Sequence, residues 1–355
     1  MEEWEKGIRQ VTPYVPGEQP AFETMIKLNT NENPYEPSPY VTKAIENIDP
    51  AKLRLYPDFS AKPLVKALSE TYNISEDNIF VGVGSDDVLS MSFLTFFNTG
   101  KPVFFPDITY SFYDVWAELY KIPYEIKALD DNFRLKASDY YKPNGGIVIP
   151  NPNAPTSIAE NRDFFEDIIR HNKDSVVIID EAYVDFGAES VLPLIEKYDN
   201  LLVVQTFSKS RSLAGIRIGF AMGSSKLIKA LNDVKYSFNS YTMNYPSICV
   251  GTAALKDTEY FKNCCGKIMD TRKHVTAVLE ELGFTVLPSS SNFLFITHPQ
   301  VKASELFEAL KKKNIYVRFF NKPRVCDYLR VTVGTPAQMT IFTEFLKNFL
   351  LADKV

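Results

Sequence analysis

The chain has 355 residues with 39 basic and 44 acidic side chains, a net charge of −5, and 45% apolar residues. That composition excludes a disordered chain, a collagen and a disulfide scaffold, and it allows one large or two ordinary domains. The acidic balance argues against a nucleic-acid partner, runs such as 93–97 and 201–204 are too short to cross a bilayer, and MEEWEKG lacks an apolar leader, so a cytoplasmic protein without a membrane partner is expected.

In chain order, residues 1–40 are rich in Pro and Asn and read as an irregular arm packed on another part of the molecule. NIFVGVG (78–84) reads as a strand entering a turn, and SDDVLSMSFLTFFN (85–98) as a helix with a capping serine and acids in its first turn. A strand (102–106), a helix (111–121), a strand ending in a Pro/Asn turn (145–153) and a helix (162–172) follow. SVVIIDEAY (175–183), LLVVQTFSKS (201–210) and IRIGFAMG (216–223) read as further strands. Near-continuous apolar runs suit strands buried on both faces, so the pattern predicts an α/β fold with a mostly parallel central sheet between helices. Residues 226–282 read as helical; after Gly283 the order is strand (291–297), helix (303–314), strand (315–320), strand (328–334), helix. The expected organisation is an arm over 1–40, a large domain over 41–255 and a smaller α+β domain over 256–355.

Four cysteines (249, 264, 265, 326) show no CxxC spacing and three histidines show no HExxH pattern, so no metal is expected. The chemistry must come from elsewhere. Ligands of an open α/β sheet bind beyond the carboxyl ends of its strands. There the sequence gathers Ser85 and Asp86 at a helix start, Tyr110, Asn153, Asp180, Tyr183, Thr206, Ser208, Lys209 and Arg217. Taken singly, Asp180 reads as a strand-end cap and Lys209 as a solvated lysine. VGVGSDD suggests a dinucleotide loop but lacks the third glycine, leaving a helix N-terminus fit for a phosphate.

Together the set suits pyridoxal 5'-phosphate. That cofactor needs a lysine for its aldehyde, a carboxylate for its ring nitrogen and donors for its phosphate. Lys209 would hold the aldehyde and then move the proton between the substrate Cα and the cofactor C4′; Asp180 would pair with the ring nitrogen. Asn153 and Tyr183 would bond the 3′ oxygen, and Tyr110 would stack on the ring. Ser85, Asp86 (through its backbone N–H), Thr206, Ser208 and Arg217 would hold the phosphate.

PYVPGEQP (13–20), KLNTNENPYEPSP (27–39), LYPD (55–58), GSDD (84–87), NPNAPTS (151–157), DEAYVDF (180–186), FSKSRSLAGIRIGFA (207–221), SNFLF (291–295) and LRVTVGT (329–335) occur in an order and spacing that resemble one family. It is the class-II, fold-type I pyridoxal-phosphate aminotransferases, in particular the histidinol-phosphate branch. The resemblance implies the same roles for Lys209, Asp180, Asn153, Tyr183 and Arg217. It also implies a homodimer in which Tyr56 reaches the partner's cofactor phosphate. Arg330 and Arg318 would clamp the substrate anion, with Tyr14, Asn33 and Asn292 as further substrate contacts. The implied reaction is L-histidinol phosphate plus 2-oxoglutarate giving imidazole-acetol phosphate plus L-glutamate. The alternatives within the fold are an aromatic-amino-acid aminotransferase and a lyase similar to threonine-phosphate decarboxylase. Glu36 stands where the family has glycine, and NPNAPTS carries Ala154 and Ser157 where the family has asparagine and glycine.

Overall fold

The structure, a computed structural model, describes residues 2–14, 18 and 25–352. A two-residue strand, β1 (Ile26–Lys27), precedes α1 (Pro39–Glu46), which starts on Ser38: its hydroxyl accepts from the Tyr40 N–H, and proline fills the first helical position. Next come α2 (Lys62–Tyr72), β2 (Ile79–Gly82), α3 (Ser85–Phe96), β3 (Val103–Pro106), α4 (Tyr113–Tyr120), β4 (Tyr124–Lys127) and β5 (Gly146–Pro150). They are followed by α5 (Arg162–His171), β6 (Val177–Asp180), β7 (Leu201–Thr206) and β8 (Gly219–Gly223).

Strands β2 to β8 form one sheet in the order β2-β8-β7-β6-β5-β3-β4. Only β8 runs against its neighbours; every other pair in this sheet is parallel. Alternation explains the burial. Ile147, Ile149, Val177, Ile179, Leu201 and Val203 face one apolar layer, while Val148, Ile178, Leu202 and Val204 face the other. Both faces of the central strands are therefore apolar, as a helix-covered parallel sheet requires. The carboxyl ends of β5, β6 and β7 then present Pro150, Asp180 and Thr206 on one rim.

After α6 (Ser225–Phe238), α7 (Tyr245–Leu255) and α8 (Thr258–Glu281) the chain builds β9 (Thr285–Val286), β10 (Phe293–Thr297) and α9 (Ala303–Lys311). It ends with β11 (Ile315–Tyr316), β12 (Arg318–Phe319), β13 (Leu329–Thr332) and α10 (Pro336–Ala352). A four-stranded antiparallel sheet has the order β12-β13-β10-β9. Ile268, Val275, Leu306, Leu310, Phe342 and Leu346 pack beneath it from α8, α9 and α10.

Residues 315–320 read as one strand in the sequence but serve two sheets. Ile315 and Tyr316 pair in parallel with Ile26 and Lys27, whereas Arg318 and Phe319 pair with Arg330 and Leu329. The leading segment is likewise shared. Tyr14 stacks on Phe112 with ring centroids 4.2 Å apart, and the Arg9 guanidinium donates to the Leu119 carbonyl. Glu18 pairs with Lys311 at 2.7 Å. Residues 15–17 and 19–20 of the PYVPGEQP string lie outside the described residues.

Candidate active site

A cavity of about 490 Å³ opens where the carboxyl ends of β5, β6 and β7 face the four-stranded sheet. Asp180 forms part of its wall and is almost completely buried. Its Oδ2 accepts from the Tyr113 hydroxyl at 3.0 Å and its Oδ1 from the Ala182 N–H at 3.1 Å. Burial pushes the Asp180 carboxyl up to about 6, against the two bonds that favour its ionised form. Tyr113 is a fully buried ring at the start of α4. The sequence reading passed over it, because an aromatic at helical spacing looks like core.

One end of the cavity is a nest for an anion. Helix α3 begins at Ser85 after Gly84, whose φ of +86° is the left-handed region that glycine adopts freely. A Cβ on Gly84 would lie 2.5 Å from Arg217 Nη2, and one on Gly219 would lie 2.2 Å from the Gly84 carbonyl carbon. Both glycines thus let the guanidinium and β8 approach the helix start. Arg217 also pairs with Asp86 at 3.6 Å, and Asp86 accepts from the Tyr110 hydroxyl at 2.7 Å. Thr206 and Ser208 close this end, their hydroxyls 3.0 Å apart.

Lys209 is the one lysine in the wall among the described residues. Its Nζ donates to the Thr30 carbonyl at 3.0 Å and lies 5.8 Å from the Tyr183 ring centroid. Asn31 holds Tyr183: its Nδ2 donates to the phenol oxygen at 3.0 Å. The Asn31 N–H in turn donates to Thr332 Oγ1 at 3.0 Å, and its carbonyl accepts from Asn292 Nδ2 at 2.9 Å. Asn31 and Thr30 are site residues that the sequence reading missed; the signal was the Asn-x-Asn-x-Asn alternation over 29–33.

Arg318 and Arg330 also line the cavity. Arg330 Nη2 donates to the Asn29 carbonyl at 2.9 Å, while its Nε is buried without a hydrogen-bond partner among the described residues. Burial holds the Arg330 guanidinium below its usual value, the Tyr183 hydroxyl opposing this and the Arg318 charge adding to it. Tyr14 lines it too.

Ser85, Asp86, Tyr110, Asp180, Tyr183, Thr206, Ser208, Lys209, Arg217, Arg318, Arg330 and Tyr14 therefore line one space. Asn153, Asn33, Asn292 and Tyr56 do not. Asn153 Nδ2 is committed to the Ile108 carbonyl at 3.0 Å and Thr156 Oγ1 at 2.9 Å, and Ala154 lines the wall instead. Asn33 Nδ2 donates to the carbonyls of Lys209 and Ser210 at 3.0 and 3.2 Å, so it braces the lysine loop from behind. Asn292 braces Asn31. Tyr56 is 83% exposed on the outer surface.

The family model for aminotransferase class I and II matches residues 23–346. The chain belongs to the class I and II aminotransferases. It is 51% identical over 347 residues to the histidinol-phosphate aminotransferase of Lactococcus lactis subsp. cremoris (strain SK11), covering 98% of each chain. Two solved structures share its fold. The histidinol-phosphate aminotransferase of Clostridium acetobutylicum has a TM-score of 0.84 at 22% identity, over 92% of this chain and 99% of that one. That of Sinorhizobium meliloti, solved in complex with pyridoxal-5'-phosphate, has a TM-score of 0.81 at 22% identity, over 92% and 91%.

The donor set of this aminotransferase fits pyridoxal phosphate: an amine for the aldehyde, a buried carboxylate for the ring nitrogen, and a glycine-opened helix start with an arginine for the phosphate. The departures from the family pattern leave that set intact. Glu36 is exposed, and its side chain is absent from the wall. Ser157 has φ +67°, which accounts for glycine in the family; here its buried hydroxyl donates to the carbonyls of Thr156 and Pro288.

Proposed function

We propose that this aminotransferase moves the amino group of L-histidinol phosphate to 2-oxoglutarate, giving imidazole-acetol phosphate and L-glutamate, a step of histidine biosynthesis in the cytoplasm. The observation that carries the reading is that Arg318 and Arg330 line the same cavity as Lys209. An arginine fork suits both a phosphate and a carboxylate, and this reaction presents each in turn. The close relatives bearing that name supply the donor.

Bound pyridoxal phosphate would supply an electron sink for the carbon that loses its proton. The residues do the rest. Lys209 Nζ would hold the cofactor's aldehyde and would serve as the base that moves the substrate's Cα proton. Asp180 would keep the ring nitrogen protonated, oriented by the Tyr113 hydroxyl. Tyr183, fixed by Asn31, presents its hydroxyl to the ring oxygen. Arg217 and the start of α3 hold the phosphate. Arg330 and Arg318 fix the substrate's anionic group and so set the Cα–H bond toward Lys209.

The working form is a homodimer. Leu53, Leu55, Tyr56, Phe59, Phe238 and Tyr241 are exposed apolar or aromatic side chains, with the Tyr56 and Tyr241 rings 4.7 Å apart. A face of this kind on a globular protein is typical of an interface. Tyr56 would project from it toward the partner's cofactor phosphate. Sedimentation of the wild type and a Leu55→Asp variant tests this, and a monomeric wild type overturns it.

Absorbance titration of the cofactor-loaded protein tests the donor. Conversion of the aldehyde-form band to the amine-form band at low histidinol phosphate, with L-phenylalanine needed in large excess, supports the reading. The reverse order moves the enzyme to aromatic amino acids. Release of carbon dioxide without 2-oxoglutarate makes it a decarboxylase.

A further inference from the structure

Three carboxylates line the cavity among the described residues: Asp86, Asp180 and Glu32. Two have partners that bind them to the cofactor end, Tyr110 and Arg217 for Asp86, and Tyr113 and the Ala182 N–H for Asp180. Glu32 lies on the segment that receives Lys209 Nζ at the Thr30 carbonyl and Arg330 at the Asn29 carbonyl. It therefore stands on the substrate side. Its Oε1 accepts from Lys27 Nζ at 2.5 Å and its Oε2 from Thr30 Oγ1 at 2.7 Å. Each oxygen keeps a further lone pair, and the side chain is 43% exposed. Burial raises its carboxyl, but the bonds from Lys27 and Thr30 and the charges of Lys27 and Lys209 outweigh this and hold it below the usual range. The group is thus a fixed anion at neutral pH.

We propose that Glu32 is the specificity residue for the amino donor, its carboxylate accepting the ring N–H of an imidazole-bearing substrate. The inference rests on the donor assigned above. Both substrates must use one site. The anionic group that they share, phosphate or α-carboxylate, goes to Arg318 and Arg330. The far end differs: histidinol phosphate ends in an N–H donor, and glutamate ends in a second carboxylate. A preorganised carboxylate attracts the first and repels the second. Glu32 therefore favours binding of the imidazole donor and weakens retention of glutamate, the product.

The competing role is that Glu32 only fastens the segment through Lys27. Two variants separate the roles. Glu32→Gln keeps the shape and removes the charge; Lys27→Met removes the ion pair and keeps the carboxylate. Calorimetric titration of the cofactor-loaded variants with L-histidinol phosphate and with L-glutamate is read beside the single-turnover kcat/KM for each. For Glu32→Gln, histidinol phosphate is expected to lose at least tenfold in affinity and kcat/KM, while glutamate stays level or gains. Lys27→Met is expected to keep the wild-type preference. An equal fall for both substrates in Glu32→Gln, an unchanged histidinol phosphate response, or loss of preference in Lys27→Met overturns the proposal. A wild type that ignores histidinol phosphate overturns the donor assignment and this inference together, whereas wild-type turnover with an indifferent Glu32→Gln overturns this inference alone.

Discussion

Arg318 and Arg330 are direct partners in the register of two antiparallel strands, so two guanidinium groups leave neighbouring backbones on one side of the cavity. Like charges placed opposite each other destabilise a sheet, and half-burying Arg330 with no carboxylate partner among the described residues adds desolvation. Arg330→Leu is therefore expected to raise stability by about 1–3 kcal/mol while lowering kcat/KM for an anionic substrate by about a hundredfold or more. Urea unfolding beside steady-state rates checks both. A variant that is both inactive and less stable would mean that Arg330 serves the fold.

Tyr113 is expected to tune Asp180. Its hydroxyl is the largest influence favouring the ionised carboxylate against burial. Tyr113→Phe removes that bond, so Asp180 should titrate above about 6 in the cofactor-free protein. Cofactor affinity measured against pH should then fall away on the acid side at a higher pH than in the wild type. An unmoved midpoint would show that the hydroxyl is only packed there.

Glu181, next in the chain, is buried and accepts from Ser190 Oγ, the Val191 N–H and Gln205 Nε2. Burial raises it to about 7 from an ordinary 4.5. A carboxyl raised on folding contributes stability that is full below the unfolded value and is lost as pH rises through the folded one. The stability of the wild type relative to Glu181→Gln should accordingly shrink by about 3 kcal/mol between pH 4.5 and 8. A difference that stays flat across this range would place the proton elsewhere.

Gly84→Ala is expected to weaken cofactor binding at least tenfold, or about 1.4 kcal/mol. The new Cβ meets Arg217 Nη2 at 2.5 Å, and alanine resists φ +86°. Equilibrium dialysis of the cofactor reads the loss. Undiminished affinity would show that Arg217 is not needed at the start of α3.

The central strands were legible because burial on both faces makes each a continuous apolar run; β6 and β7 are buried at every position. β4, with two exposed residues among its four, carries no such run, and β1 is too short to show a period. The break at Val317 follows from pairing with residues nearly three hundred positions away, which local pattern does not encode. The site divides in the same way. Asp180, Lys209 and Arg217 follow strand ends, where topology brings ligands. Tyr113 and Asn31 act through other side chains, so their value depends on geometry alone. Asn33 and Asn292 read as substrate contacts, yet their amide nitrogens donate to backbone carbonyls and neither residue lines the cavity.

The pairing of Ile26 with Ile315 also sets a schedule for biosynthesis. Thr30, which receives Lys209 Nζ, and Asn31, which holds Tyr183, sit just beyond a strand whose partner lies nearly three hundred residues further along the chain. Residues made early thus wait for others made nearly three hundred positions later. A nascent chain can lay down its parallel sheet and shape the phosphate nest while still attached to the ribosome. The lysine pocket is ordered only once β11 is in place, so the order of synthesis separates the two halves of the site.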